Sequence, residues 1–130
     1  MKAILAIPFL LTIVLVAYVQ GGFTIWNALP VVLGFGVLLY GLQARSSEAV
    51  GCIAFGVSVT LLMALFHLAW LFDWGGTATG SSTAALSLIF VPFWACFFAS
   101  VIGMVCWVAS RVRARMGTRN GGSGCQPERR

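Results

Sequence analysis

Four long stretches of this chain contain no lysine, arginine, aspartate or glutamate, and each approaches the length of a membrane-spanning helix. They are residues 3–19, 25–44, 49–72 and 83–109. A helix needs about 20 mainly apolar residues to cross about 30 Å of hydrocarbon, where its backbone groups must be hydrogen-bonded internally. The apolar runs do not alternate with polar residues, as the strands of a barrel would. The sequence therefore predicts an all-α membrane protein with four transmembrane helices in an antiparallel bundle.

The composition leaves no room for a soluble domain beside these stretches. Of the 130 residues, 60% are hydrophobic and only 8% are charged, whereas a soluble domain of this size needs far more polar surface. We predict one transmembrane domain over residues 1–109 and a basic, largely disordered cytoplasmic tail over residues 110–130. The short connections predict that consecutive helices are antiparallel neighbours.

The eight lysine and arginine residues predict the orientation. Lys2 precedes the first stretch, Arg45 separates the second from the third, and the other six follow the fourth. The positive-inside rule then places both termini in the cytoplasm, which suits the inner membrane of a bacterial cell. Arg111, Arg113 and Arg115 are predicted to contact anionic lipid headgroups, at about 1 kcal/mol per charge. The basic charge is thus interpreted as a topology signal and not as a sign of nucleic-acid binding.

The first stretch has a second interpretation, as a secretory signal peptide. Residues 1–22 contain a lysine, an apolar run and then small residues, in that order. The run is long for a signal peptide, and residues 19–21 match the small-residue cleavage pattern poorly. We therefore favour a retained helix.

Small residues predict where the helices pack, because helix association in lipid depends on close approach. At 100° per residue, Gly56 and Thr60 lie within about 20° of His67 around the third helix. His67, the only histidine, is therefore expected to point into the bundle. The residues predicted to pack helix against helix are Gly56, Thr60, Ala64, Ser100 and Gly103.

His67 is also predicted to join a polar cluster in the outer half of the bundle. At a rise of 1.5 Å per residue, Asn27 and Ser87 lie at a similar depth, and the predicted cluster is His67, Asn27, Thr83 and Ser87. Asp73 is about 120° further around the helix, so we expect it to end the helix and not to pair with His67. Hydrogen-bonded packing is favoured for His67 over a proton-linked or ligand-binding role.

Two residues within the fourth stretch have their own predictions. Pro92 removes the hydrogen bond to the carbonyl of Leu88 and predicts a kink, which is more often structural than functional in membrane helices. Trp94 lies in mid-span, away from the other tryptophans near the membrane boundaries, and is predicted to pack in the core.

No set of residues predicts catalysis. The sequence has no nucleophile beside a base, no pair of carboxylates and no cysteine–histidine spacing typical of a metal site. We therefore expect no enzymatic activity, no metal and no cofactor.

Residues 81–95, SSTAALSLIFVPFWA, resemble a motif of small bacterial inner-membrane proteins of unassigned function. In that motif a Ser-Thr-Ala-Ala run opens the last helix and a proline follows some eight residues later. The matching positions are Ser82, Thr83, Ala84, Ala85 and Pro92. The resemblance implies four short helices and brings no activity.

Other small membrane proteins share this size without sharing the residues that define them. Small multidrug transporters carry a glutamate in the first helix, and residues 3–19 contain no carboxylate. Fluoride channels need a threonine-phenylalanine-serine break, which residues 80–87, GSSTAALS, do not reproduce. We hypothesise a protein that acts by helix–helix interaction, as an accessory, regulatory or self-assembling component. The alternative is a small channel or transporter with a polar vestibule around His67.

Overall fold

The chain forms long helices joined by short connections. In the computed structural model, α1 runs over Lys2–Gln20, α2 over Thr24–Gln43, α3 over Glu48–Leu71 and α4 over Ala84–Asn120, with a 3₁₀ turn at Trp74–Gly76. The structure describes the backbone of residues 2–20, 24–44, 48–80 and 84–120, and the side chains of residues 6–20, 25–44, 48–80 and 86–116. These ranges contain no strand, which confirms the predicted all-α class.

Three helices are long and apolar enough to cross a membrane. They contain the spans Ile25–Gln43, Glu48–Leu71 and Leu86–Met116, and Ala6–Gln20 of α1 forms a shorter apolar helix. Membrane embedding is thus supported for α2, α3 and α4, and the fourth span remains a prediction.

The last helix continues well past residue 109, where the fourth span was predicted to end. Residues 110–120 are helical, and the largely disordered part of the predicted tail stays a prediction. Arginine, alanine and methionine are good helix formers. Adding residues to the end of an existing helix costs little free energy, because the unfavourable first turn has already formed. Residues 121–130 lie outside the described residues.

The third helix lies at the centre of the bundle. It packs against α2 and α4, while α1 packs against α2 and α3 and, among the described residues, makes no close backbone contact with α4. Helices α2 and α3 therefore form a central pair. The more peripheral α1 packs against one side of this pair and α4 packs against the other. The core between the helices is formed by Phe9, Val31, Leu38, Val59, Met63, Ala95 and Ala99.

Glycines set the two closest helix crossings. A Cβ atom at Gly56 in α3 would lie 2.5 Å from the carbonyl oxygen of Gly34 in α2. At the other crossing, a Cβ atom at Gly103 in α4 would lie 3.0 Å from the carbonyl oxygen of Gly51 in α3. Side chains at these positions would push the backbones apart. The structure places Gly56 and Gly103 at the two crossings, and their predicted roles in helix packing stay a prediction.

The other predicted packing residues of α3 face its neighbours. Thr60 is buried, and its hydroxyl donates to the carbonyl oxygen of Gly56 at 2.9 Å. Ala64 lines a groove between α1 and α3 together with Pro8 and Thr12. Because the hydroxyl of Thr60 bonds within its own helix, its methyl group is left to line the same groove beside α1.

Ser100 does not pack against another helix of this chain, so that prediction is wrong. Its side chain is exposed, and its hydroxyl donates at 2.7 Å to the carbonyl oxygen of Cys96 in the same helix. The buried face of α4 lies one residue earlier, which is 100° around the helix. That face is formed by Pro92, Ala95, Ala99 and Gly103.

Candidate functional site

Three polar side chains are buried near the end of the bundle where α1 and α3 finish and α2 begins. Asn27 and His67 are 0% exposed and Gln20 is 9% exposed. A polar group removed from water is stable only when it is hydrogen-bonded. The hydrogen bonds of these residues therefore decide what this end of the bundle can do.

Both ring nitrogens of His67 are engaged by protein groups. Nδ1 lies 2.7 Å from the carbonyl oxygen of Met63, one turn earlier in α3. Nε2 lies 2.7 Å from the side-chain amide nitrogen of Gln20 in α1. Since a carbonyl oxygen only accepts, Nδ1 carries the proton, and Nε2 accepts from the amide N–H. The pair thus holds a neutral imidazole and joins α1 to α3.

Gln20 has one polar atom that remains unused. Its carbonyl oxygen Oε1 is buried and accepts no hydrogen bond from the described residues. A half-turn of the amide group would exchange this oxygen with the nitrogen that now faces His67. The oxygen could then accept from a protonated Nε2. The pair can therefore remain hydrogen-bonded with either a neutral or a protonated imidazole, because an amide offers both a donor and an acceptor.

The structure brings together only part of the predicted polar cluster. His67 and Asn27 are both buried near this end of the bundle, and Ser87 is partly buried in α4. The ring nitrogens of His67 contact Gln20 and Met63, not Ser87 or Asn27. Thr83 lies outside the described residues.

Gln20 is the residue that the sequence reasoning missed. It directly follows the first apolar stretch and was assigned to the connection, whereas α1 includes it as its last residue. Helix ends read from sequence are uncertain by one or two residues, and here that margin decides whether an amide lies inside the bundle. The available signal was a single amide side chain directly after an apolar stretch, at the same end of the bundle as His67.

Asp73 has a separate role, as predicted. Helix α3 ends at Leu71, and Asp73 adopts a left-handed backbone conformation with φ 49° and ψ 40°, which aspartate tolerates better than most residues. Its carboxylate accepts from the backbone N–H of Ala78 at 2.8 Å and of Thr79 at 3.2 Å, and from the Thr79 hydroxyl. Asp73 therefore closes residues 73–79, just after α3, into a compact loop.

The Asp73 contacts predict a dependence on pH. The Thr79 hydroxyl and the Ala78 N–H hold the pKa of the Asp73 carboxyl below its usual value. A lowered pKa in the folded state means that the contribution of Asp73 is complete above about pH 4, the ordinary value for aspartate, and is lost as the pH falls through the lowered pKa. We expect Asp73→Ala at neutral pH to speed hydrogen exchange at the amides of Ala78 and Thr79 severalfold.

Exchange at the Phe72 amide serves as the internal control for this measurement. That amide donates to the carbonyl oxygen of Leu68 at 3.0 Å and makes no contact with the carboxylate. Unchanged exchange at Ala78 and Thr79 in the Asp73→Ala variant would contradict the proposed closure of the loop.

Pro92 lies in the part of α4 that is joined to α2 by the side chain of Trp26. Pro92 is buried within α4, and proline leaves carbonyl groups of the preceding turn short of donors. The indole N–H of Trp26 in α2 donates to the carbonyl oxygen of Ile89 at 3.1 Å. The Phe93 ring packs edge-on to Trp26 at 5.5 Å between centroids. The proline region is therefore tied to α2, and the kink remains a prediction.

Trp94 is not a core residue, so that prediction is wrong. Its side chain is 57% exposed, and its ring stacks on Phe98 with a centroid distance of 5.8 Å and meets Phe97 edge-on at 6.1 Å. Trp94 lies about ten residues after the start of α4, roughly 15 Å along the helix axis. An exposed aromatic surface thus lies near the middle of a spanning helix.

The three arginines predicted to meet lipid headgroups lie in the last turns of α4. Arg111, Arg113 and Arg115 are all exposed. Arg111 alone stacks on an aromatic ring among the described residues, with Cζ 4.7 Å from the centroid of Trp107. Their exposure is compatible with headgroup contact, which remains a prediction.

Comparison of this chain with protein-family models, with curated proteins and with solved structures found no match. No activity, ligand or partner of a known protein can therefore be carried over to the residues described above.

Proposed function

We propose that this protein is a small multi-pass integral membrane protein that acts by associating with other membrane helices, without catalytic chemistry. In this proposal it is an accessory, regulatory or self-assembling component of a bacterial inner membrane. All four helices span the bilayer, and both termini lie in the cytoplasm. Helix α1 has 19 residues, which extend over about 28 Å and so approach the hydrocarbon thickness of about 30 Å.

The observation that carries the proposal is the position of Trp94. Its indole N–H donates no hydrogen bond to any described residue, and the hydrocarbon around a mid-span position contains no acceptor. Leaving such a donor unpaired costs about 1–3 kcal/mol. A carbonyl or hydroxyl oxygen on a partner helix would remove that cost. Phe97 and Phe98 extend the surface around Trp94, and aromatic pairs add about 0.5–1.5 kcal/mol beyond the area they bury.

Aliphatic side chains exposed on the other helices do not call for a partner in the same way. Leu10 in α1 and Leu61 in α3 are exposed, but they are aliphatic. Lipid chains solvate aliphatic side chains as well as another helix does, so exposure to lipid has no penalty for them. The aromatic surface of α4, formed by Trp94, Phe97 and Phe98, is thus the preferred candidate for contact with a partner.

Site-specific photo-crosslinking in cells tests this proposal. A photoreactive phenylalanine analogue at position 97, where Phe97 is 58% exposed beside Trp94, keeps the indole in place and is expected to form a discrete protein adduct, whose mass identifies a second copy or another membrane protein. The matched control places the same analogue at Leu61, which is 56% exposed on α3. We expect only lipid adducts at position 61. Lipid adducts alone at both positions would contradict association through this surface.

A second function, as a small channel or transporter, is favoured by one observation. Gln20 Oε1 is buried beside His67 and accepts no hydrogen bond from the described residues, and a proton carried by His67 or a transported cation would give this oxygen a partner. His67 is 0% exposed, so a polar vestibule around it would have to open during transport. Flux that depends on His67 would distinguish this function from association.

A further inference from the structure

Two exposed arginines near the end of α4 have different surroundings. The Nη2 atom of Arg111 is 3.9 Å from Oε1 of Glu48, and its Cζ atom is 4.7 Å from the centroid of Trp107. Arg113 is exposed as well, but it forms no ion pair with a described residue. The protein itself thus supplies Arg111 with a negative partner, and the described part of the chain supplies none to Arg113.

Arg113 borders a groove between the first turn of α3 and the last part of α4. The groove has a volume of about 400 Å³ and is lined by Val50, Cys106, Ala109, Ser110 and Arg113. The hydroxyl of Ser110 donates at 2.7 Å to the carbonyl oxygen of Trp107 in its own helix. Arg113 is therefore the only charged residue among the described residues that line this groove, and most of the remaining wall is apolar.

The acidic residue at the start of α3 lies on another side of the helix pair. Val50 follows Glu48 by two residues, which places the two about 160° apart around α3. The same angle separates Arg113 from Arg111 around α4. Glu48 and Arg111 therefore meet on one side of the two helices, whereas Val50 and Arg113 border the groove on another side.

The groove lies at a boundary of the hydrocarbon layer. Glu48 is the first residue of the span formed by α3, and its contact with Arg111 marks the same level on α4. At 1.5 Å per residue, Arg113 lies about 3 Å beyond this level, while Ala109 and Cys106 lie about 3 Å and 7.5 Å before it. The positive charge is thus at headgroup level, where arginine is a typical anchor, and the apolar wall runs into the hydrocarbon. A molecule that meets both must have a polar head and an apolar chain.

We propose that this groove binds one anionic phospholipid of the phosphatidylglycerol type. Its phosphate accepts hydrogen bonds from the guanidinium of Arg113, and an acyl chain lies along Ala109, Cys106 and Val50. The charge of the groove selects this occupant. A headgroup that also carries an ammonium would bring a second positive charge beside Arg113, and the described lining residues include no carboxylate to receive it.

The proposal assigns one defined lipid site to Arg113, whereas general attraction to headgroups would treat the arginines of α4 alike. The site requires that α3 and α4 are embedded in a membrane. It does not depend on association through Trp94, so a failure of either proposal leaves the other standing.

The test measures lipid retained by the purified full-length chain in mild detergent, using native mass spectrometry. Phosphatidylglycerol and phosphatidylethanolamine with identical acyl chains are added in increasing amounts. We expect the wild type to bind phosphatidylglycerol more tightly than phosphatidylethanolamine. Arg113→Gln should weaken the binding of phosphatidylglycerol about fivefold, the factor that corresponds to one charge near a membrane surface. Equal binding of the two lipids by the wild type would overturn the proposal.

Arg111→Gln is the matched control for the charge. It removes the same charge from the same helix, but from the side that faces Glu48. We expect this variant to bind phosphatidylglycerol as tightly as the wild type does. Equal weakening by Arg111→Gln and Arg113→Gln would indicate general attraction to positive charge and would rule out a defined site at Arg113.

Ala109→Phe tests the apolar wall separately from the charge. A phenylalanine at this position occupies the space assigned to the acyl chain and should weaken the binding of phosphatidylglycerol severalfold. Val108→Phe is the control, because it places the same ring about 100° around the helix, outside the lining of the groove. All four substituted side chains are exposed, so the fold tolerates their exchange. Equal binding by the two phenylalanine variants would contradict a lipid chain in this groove.

Discussion

Gly56→Ala is expected to destabilise the protein by about 1–3 kcal/mol, the usual cost of forcing an extra methyl group into a packed contact. The new Cβ atom would lie 2.5 Å from the carbonyl oxygen of Gly34 and 2.8 Å from Cβ of Leu38. A backbone oxygen cannot move aside without moving α2 as a whole. The α2–α3 crossing must therefore widen, and the contacts on both sides of it weaken.

Gly36→Ala is the matched control for this prediction. A Cβ atom at Gly36 meets nothing within 4 Å, and alanine is favoured over glycine inside a helix by about 1 kcal/mol in peptide hosts. We expect this variant to be as stable as the wild type or slightly more stable. Unfolding in mixed micelles with increasing SDS, followed by helical circular dichroism, compares the two variants. Equal stabilities would contradict the close crossing at Gly56.

The Gln20–His67 hydrogen bond is expected to appear as a coupling in a double-mutant cycle. His67→Phe keeps a ring in place but leaves the Gln20 amide without its acceptor, and Gln20→Met keeps the length of the side chain but leaves Nε2 without its donor. Each single change should cost about 1–3 kcal/mol, because a buried polar group loses its partner. The double variant should lose less than the sum, with a coupling of about 0.6–1.7 kcal/mol, as found between helices in membranes.

Asp73→Ala supplies the control cycle for this coupling. Asp73 bonds to Ala78 and Thr79 and does not contact His67, so His67→Phe and Asp73→Ala should be additive. Additivity in the Gln20–His67 cycle as well would contradict the bond between α1 and α3.

The same His67→Phe variant also decides between the two proposed functions. Under the association proposal, proteoliposomes containing wild-type protein show no proton, cation or cationic dye flux between pH 5 and 8, and the variant behaves identically. Flux in the wild type that disappears in His67→Phe would favour the channel or transporter. The stability measured for the same variant shows whether a loss of flux reflects unfolding or the loss of the imidazole.

Packing faces illustrate how far small residues alone can guide a prediction. In α3, Gly56 and Thr60 are both buried, because this helix is surrounded by neighbours and its small residues form one line. In α4, two lines of small residues share Gly103, one through Ser100 and one through Ala99. Ser100 and Ala99 are adjacent, so the two lines point in directions about 100° apart around the helix. The position of α3 decides that the line through Ala95 and Ala99 is the buried one. Trp94 was misplaced for a related reason, because hydrophobicity does not show which side of a helix meets lipid.

Local features of the sequence were sufficient to predict the helical class, the apolar spans of α2, α3 and α4, the inward direction of His67 and the separate role of Asp73. These predictions follow from the length of the uncharged runs and from the helix period of 100° per residue. The packing of the helices was needed to show that His67 meets Gln20 and not Ser87, and that Glu48 lies beside Arg111. Such pairs join residues far apart in sequence, and a small shift in the end of a helix or in its rotation changes which atoms meet.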